Sequence, residues 1–360
     1  RYEQAPDRAN RYGILAAYVQ DDWRVNQKLT LNFGLRYEYT LPPVDKIDMR
    51  YAFDPSIGNL VVPNQKVLDT LVNPLFPREI PIVTAQAAGF PSRSLLKGDA
   101  NNWGPRIGFA YRPVNKMVIR AGYGVYYTPL TSVLLDPFAG GPFRSTETFT
   151  NSITDGVPLF QFPRPFTDRG TVPTQSTSGV QVNVQTPYTH QWNVTLEQQL
   201  PHSIVWRISW RGHKVTQLLY SRDLNKPMPS ADPTNASWFR YPHFFSVTYH
   251  ENGGGQLGNL LEAEIERKFS QGLTFQFGWT WAKVLADVPG SSVTGGIENP
   301  YDRRRERADD PNVTRHRAVA YSIYDLPIGT GKRWGGALPG WVRQVFGNWQ
   351  ISQILVLQSG

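Results

Sequence analysis

The sequence predicts an all-β chain, antiparallel throughout, arranged as a transmembrane β-barrel segment of about ten strands with short turns at one end and long loops at the other. Three observations predict it. Long stretches alternate apolar and polar residues with a period of two, which puts every second side chain on one face of a pleated strand. Several stretches reach about eleven residues, which at roughly 3.3 Å per residue and a tilt near 45° spans about 25 Å, the apolar height of an outer-membrane barrel. The connections alternate between a few residues and tens, as periplasmic turns and extracellular loops do.

The first strands, Ile14 to Arg24 and Leu29 to Thr40, meet through a turn at Val25 to Lys28. In the second, Leu29, Leu31, Phe33, Leu35, Tyr37 and Tyr39 face one way, and Thr30, Asn32, Gly34, Arg36, Glu38 and Thr40 the other. With the register set by the turn, Asp22 stands opposite Asn32, Gln20 opposite Gly34 and Tyr18 opposite Arg36. A slip of one residue would carry Arg36 and Glu38 into the apolar layer, so the register is expected to be firm. From about Leu41 to Asn102 the chain is rich in Pro, Asn and Asp, shows no sustained period and reads as a long loop. Trp103 to Arg112 resumes as a strand with Ile107, Phe109 and Tyr111 opposite Arg106, Gly108 and Ala110. Pro113 to Lys116 turns it into Met117 to Tyr127, where Ile119, Ala121, Tyr123, Val125 and Tyr127 oppose Arg120, Gly122, Gly124 and Tyr126.

A second long loop covers roughly Thr128 to Thr186. Tyr188 to Leu200 and Ser203 to His213 then pair through Pro201 and His202. Trp192, Val194 and Leu196 share a face with Ile204, Trp206, Ile208 and Trp210, against Gln191, Asn193, Thr195, Arg207, Ser209 and Arg211. An aqueous segment, in which Gly253 to Gly255 reads as a flexible turn, leads to the hairpin Gly258 to Lys283. Its first arm places Leu261, Ala263, Ile265 and Phe269 opposite Glu262, Glu264, Glu266 and Lys268. After Ser270, Gln271 and Gly272 the second arm places Leu273, Phe275, Phe277, Trp279 and Trp281 opposite Thr274, Gln276, Gly278 and Thr280. Trp279 and Trp281 lie away from the turn, where an aromatic girdle meets a membrane interface. A loop from about Val284 to Asn312, a strand near His316 to Leu326, a connection rich in Gly, Lys and Arg, and a final strand NWQISQILVLQS complete the chain.

Taken alone, that hairpin suits a soluble β-sandwich as well as a membrane wall, because any sheet with one wet face alternates in this way. The whole chain separates the two. A compact soluble domain rarely carries several long structureless loops, and a β-propeller would repeat about every forty to fifty residues with four short strands per blade.

Composition narrows the function. The absence of Cys removes disulfides, thiolate chemistry and Cys-ligated zinc. No apolar run is long enough for a transmembrane helix, a filter that barrel strands pass unseen. The net charge of +8 is dispersed, and its densest run, Asp302 to Arg307, is followed by Ala308, Asp309 and Asp310. That mixed sign reads as a solvated loop, so no nucleic-acid partner is expected. The chain opens at Arg1 and ends directly after an apolar strand, and it is read as a piece of a longer protein.

No catalytic constellation emerges. The six His are scattered without an HExxH arrangement, and Gly253 to Gly255 lacks the Lys and Ser/Thr of a P-loop. Neither an enzyme nor a cofactor is expected. Asp309, Asp310 and Asn312 lack the spacing of a calcium loop, so no metal site is expected either. The face shared by Arg36, Glu38, Arg106, Arg120, Arg207, Arg211, Glu262, Glu264 and Glu266 is expected to line a barrel lumen, with the three glutamates paired to arginines or facing water. Phe33, Tyr37, Tyr123, Trp192, Trp206, Trp210, Phe275, Phe277, Trp279 and Trp281 are the expected lipid-facing or girdle aromatics. On a soluble carbohydrate-binding sandwich the same rings would be sugar platforms.

Six phrases in order, AYVQDDWRVNQKLTLNFGLRYEY, NWGPRIGFAYRPVNKMVIRAGYGVYY, HQWNVTLEQQL, LLEAEIERKFSQGLTFQFGWTWAK, NPYDRRRERADDPNVTRHRAVAYSIYDLPIGTGKRW and GNWQISQILVLQSG, resemble the barrel of TonB-dependent receptors. The likeness is nearest to the Oar-like group, which carries an N-terminal carboxypeptidase-regulatory-like domain. It covers nearly all strands and little of the loops. It implies a 22-stranded outer-membrane barrel of a Gram-negative cell, filled by a plug domain. Such a barrel takes up large, scarce ligands with energy delivered by the TonB complex, and its lumen charges contact the plug. Residues 1–360 show no plug, TonB box, regulatory domain or C-terminal signature strand, so they are expected to form a partial barrel. The ligand is left open among iron chelates, glycans and peptides. The alternatives are a non-transporting outer-membrane adhesin or structural barrel, and a soluble β-rich hydrolase with paired acids on facing strands.

Overall fold

A computed structural model describes the chain except for residues 1, 5–8, 75, 131–139, 148–152, 155–156, 159–174, 227–238, 289–296, 330 and 335–338. In chain order its strands are β1 (Tyr2–Gln4), β2 (Asn10–Arg24), β3 (Leu29–Asp45), β4 (Ala52–Asp54), β5 (Asn59–Val62), β6 (Ile82–Thr84), β7 (Asn102–Tyr111), β8 (Met117–Tyr127), β9 (Ser145–Glu147) and β10 (Ile153–Thr154). They continue with β11 (Val157–Pro158), β12 (Gln175–Val180), β13 (Tyr188–Leu200), β14 (Ile204–Asp223), β15 (Phe244–Ser270), β16 (Leu273–Ala286), β17 (Ala308–Asp309), β18 (His316–Asp325) and β19 (Gln350–Gln358). Three short helices, α1 (Gln65–Thr70), α2 (Ala85–Ala88) and α3 (Gly340–Phe346), lie in connections.

One sheet dominates. Its path runs β2-β3-β7-β8-β13-β14-β15-β16-β18-β19, ten strands, each antiparallel to the next. The meander follows from the turns. Asn26 accepts the backbone N–H groups of Lys28 and Leu29 at 2.8 and 2.9 Å, closing the β2–β3 turn. Between β15 and β16 the two turn residues Gln271 and Gly272 both adopt positive φ, the conformation whose twist matches a tight hairpin. The register follows the alternation: Asp22 opposes Asn32, Gln20 opposes Gly34 and Tyr18 opposes Arg36. Pro105, which has no N–H to donate, sits in β7 just beyond the last residue paired to β8, Arg106. At the end of the sheet marked by these turns one connection is long, residues 326–349, and it carries α3.

At the other end the strands run further than their alternation suggests. β14 continues to Asp223, and β15 starts at Phe244, so the segment expected to be an aqueous connection is mostly ladder. Gly253 to Gly255 therefore form part of β15 and not a flexible turn. The register shifts there between Val215 and Leu218, and Gly253 has a φ of 134°. A side chain at Gly254 would collide with Val288 and Leu218, which is why the bulged strand carries glycine. Trp279 and Trp281 accordingly stand opposite the middle of β15, opposite Ala263 and Leu261, with ladder continuing beyond them.

The stretch Leu41 to Asn102, expected to be a structureless loop, is folded. β4, β5 and β6 form a small sheet, and Met49, Tyr51, Phe53, Leu60, Val62 and Val67 pack in one buried cluster with Phe143, Tyr241, Phe244, Val247 and Tyr249. A second cluster joins Ala52, Val61, Leu95 and Leu96 to Leu130, Val180 and Leu219. Phe53 is fully buried and meets Tyr241 and Phe244 edge-on, with ring centroids 4.9 and 5.7 Å away. β12 pairs β15 in parallel, an exception to the antiparallel expectation, and brings the 175–184 segment into the same unit. Nearly all fully buried apolar side chains lie in this cap. Among the described residues the wall adds only a few buried apolar side chains, such as Val125, Ala282 and Val284.

Candidate functional site

On the polar face of the wall the register sets charges of successive strands side by side. Arg207 on β14 stands between Glu197 on β13 and Glu264 on β15, at 3.1 and 2.8 Å. Glu197 also takes Arg120 of β8 at 3.3 Å, and Glu264 is hydrogen-bonded by the Gln276 amide of β16. The chain Arg120–Glu197–Arg207–Glu264–Gln276 thus crosses five strands. Arg211 pairs Glu262 at 3.0 Å beside it. Two of the three β15 glutamates meet arginines, and Glu266 stands opposite Gln276 and Val205. Arg36 binds Glu38 two residues along its own strand, and the Arg106 guanidinium lies 4.7 Å from the Tyr126 ring. Sequence reasoning missed Glu197, although its place on the face of Asn193 and Thr195 was a usable signal.

The same face is hollow between β3 and β13. Gly34, Gly108, Gly122 and Gly124 leave a depression of about 330 Å³ bordered by Asn32, Arg106, Tyr126 and Asn193. Asp309, Asp310 and Asn312, weighed for calcium, are engaged by protein donors. Arg315 reaches Asp309 at 2.7 Å, while Gln256 and the Asn312 backbone reach Asp310 at 3.0 Å each. Among the described residues no three His, Asp or Glu cluster as a metal site.

The opposite face collects the aromatic residues. Phe33, Trp210 and Phe277 are each more than two-fifths exposed there. The Trp192 indole lies over Gly212, where an added methyl group would come within 2.3 Å of the ring, and its centroid is 6.2 Å from that of Trp210. Trp210 opposes Leu261, which opposes Trp281, so these three side chains form one apolar row across β14, β15 and β16. Tyr123 stands opposite Trp192 and bonds His190 at 2.6 Å, Tyr37 packs on Trp103 at 4.6 Å, and Trp279 stacks on His316 at 5.9 Å. Trp206 opposes Ile265, and Phe275 opposes Arg267, both nearer the tight turns.

The cap holds a third group of polar residues, invisible to periodicity. Tyr220 donates its hydroxyl to Glu251, which Arg222 also binds at 2.9 Å, and Arg303 lies 4.0 Å above the Tyr220 ring. Burial and the neighbouring carboxylate push the Tyr220 hydroxyl up to about 12. Burial likewise raises Tyr249 and lowers His250 from the usual imidazole value. Asn252 ties the segments together, taking the Gln185 N–H at 2.6 Å and donating to the carbonyls of Gln185 and Gln217 at 3.0 and 2.7 Å.

No curated protein matches the sequence. Among solved structures the chain is similar to the FrpB iron transporter from Neisseria meningitidis, at 10% identity and a TM-score of 0.43, over 91% of this chain and 32% of that one. It is similar to the copper transporter OprC at 10% identity and 0.45, over 88% and 33% of the two chains. For the siderophore receptor PiuA from Acinetobacter baumannii the values are 10% and 0.42, over 88% and 31%. The chain spans about a third of the length of these structures. By its match along residues 1–360, and with a long-stranded antiparallel wall to go with it, the chain belongs to the outer membrane beta barrel domain family, in the outer membrane of a Gram-negative bacterium.

Proposed function

We propose that this chain is part of the wall of a TonB-dependent receptor of the Oar-like group, a transporter without catalytic activity that imports a large, scarce ligand. The observation that carries the reading is the charged network that crosses the wall from Arg120 on β8 to Gln276 on β16, with arginines and carboxylates paired strand to strand. A small barrel fills its interior with side chains, whereas a wall of ten strands whose edge strands β2 and β19 do not pair among the described residues suits a wide barrel with a wet or protein-filled lumen. In this reading Arg36, Glu38, Arg106, Arg120, Arg207, Arg211, Glu262, Glu264 and Glu266 face that lumen and a plug domain within it. The aromatic face meets lipid, the cap lies outside the cell and meets the ligand first, and TonB supplies energy through the plug.

The test is accumulation. Cells producing the full-length parent protein are offered labelled iron chelates, oligosaccharides and peptides, with and without a protonophore. Uptake of one class that the protonophore abolishes is the expected result. Binding at the cell surface that the protonophore leaves unchanged, with no accumulation, would replace the transporter with an adhesin or structural barrel.

A further inference from the structure

One connection at the turn end of the wall is out of keeping with the rest. The turns at 25–28, 112–116, 201–203 and 271–272 take a few residues each, but β18 and β19 are joined by residues 326–349, which carry α3. On α3, Trp341, Val342, Val345 and Phe346 recur at the spacing that gathers side chains onto one helical face. That face is bare: among the described residues Trp341, Val345 and Phe346 are each more than half exposed, as are Trp334 and Trp349 on either side of the helix. Two bonds fix where the helix stands. The Leu326 N–H donates to the Trp349 carbonyl at 2.8 Å, which carries the β18–β19 ladder one pair past Asp325 and Gln350. Two residues before Ile351, Trp349 therefore shares the face of Tyr324, Leu273, Leu355 and Phe277. Its indole N–H donates to the Val345 carbonyl at 2.7 Å and ties the last turn of α3 to the aromatic side of the wall.

We propose that α3 is an interfacial helix, lying in the plane of the phospholipid leaflet at the periplasmic end of the wall with Trp341, Val345 and Phe346 turned into the lipid. The inference rests on the reading that the aromatic face meets lipid. Three features select lipid over a protein partner. The helix is fastened to the aromatic side at the turn end, which in an outer-membrane wall is the level where the apolar band gives way to headgroups. Tryptophan suits that level, because its ring is apolar and its N–H polar, and the connection holds three of the chain's 11 Trp: Trp334, Trp341 and Trp349. Between Leu326 and Trp349 the sequence has Lys332, Arg333 and Arg343 and no acid. Lys332 is shared with Asp325 at 3.6 Å, while the Arg333 guanidinium lies 5.5 Å from the Trp334 ring, a cation beside an indole at the height of lipid phosphates. A short segment with aromatic residues on one side and cations next to them settles along a leaflet surface and not across it.

The experiment uses the full-length parent protein, cleared of any other cysteine, in vesicles of phosphatidylethanolamine and phosphatidylglycerol, with a nitroxide placed in turn on Val345→Cys, Gln344→Cys and Phe277→Cys. Collision with membrane-dissolved oxygen is measured against collision with an aqueous nickel chelate. Val345 and Gln344 are both exposed but lie on opposite sides of α3, so the oxygen-to-nickel ratio should be severalfold higher at Val345→Cys than at Gln344→Cys. Equal ratios at the two positions overturn the proposal. So does a Val345→Cys label that neither reagent reaches, which would put a protein partner over the helix. A Phe277→Cys label reached from lipid, with Val345→Cys reached only from water, defeats the placement of α3 alone; a Phe277→Cys label reached only from water defeats the face reading, and the placement with it.

Discussion

Arg207 shows how a single side chain can join three strands. Its guanidinium bridges Glu197 and Glu264, but its side chain is 38% exposed, so water screens both pairs and the attraction stays modest. A double-mutant cycle on Arg207 and Glu264 in the refolded parent should give a coupling of about 0.5 to 1 kcal/mol by urea unfolding, and zero coupling would make the bridge a crystal-like surface pair. The face assignment has a larger signature. Phe277→Arg should cost about 2 to 4 kcal/mol in the bilayer, as should Phe33→Arg, whereas Gln276→Arg and Asn32→Arg should cost far less. Equal costs on the two faces would end that assignment. His250 carries a pH signature in the cap. Burial lowers its pKa, so the unfolded cap takes up the proton first and stability falls as pH drops below the usual imidazole range. Hydrogen exchange of residues 244–257 should speed up on acidification, and His250→Gln should flatten that response.

At the scale of elements the wall and the cap obey different physics. Wall strands are held by ladders and alternate so that one face gathers paired charges and the other aromatic rings, whereas the cap is held by a core gathered from separate loops. Phe53 belongs to a three-residue strand whose neighbours in the cluster, Tyr241 and Phe244, come from the start of β15 and the residues before it. Phe53→Ala should therefore loosen the cap by about 3 to 5 kcal/mol. Extracellular protease should then cut between residues 41 and 102 on intact cells, while the folded wall keeps its heat-modifiable mobility in electrophoresis. Joint loss of both would show that cap and wall unfold as one unit. The cap also explains why β14 and β15 outrun the membrane span: Leu219, Tyr220, Val247 and Tyr249 are buried in or beside its clusters, giving the extended ladder a core to lean on.

For the molecule as a whole, the sheet ends in β2 and β19, each paired on one side only among the described residues. β19 exposes apolar side chains on both faces, with Ile354 at 81% and Leu355 at 53%. Such edges template pairing with further strands. The 360-residue chain alone should therefore associate in detergent by light scattering, and a monodisperse monomer would mean that the sheet closes in a way its path does not show. Much of this architecture was legible beforehand. The wall strands, their two faces and the β2–β3 register follow from local alternation and short turns, because a period of two and a two- to four-residue turn leave a strand one way to pair. The ion-pair partners, the parallel pairing of β12 and the folded cap were not legible. They join residues far apart in sequence through strands too short to show a period, such as Ala52–Asp54 and Ile82–Thr84. The sequence by itself determined a two-faced wall of antiparallel strands, since each face is written every second residue. Only the tertiary structure decided that the loops share a core, because the free energy of burying Phe53 exists only once distant segments have come together.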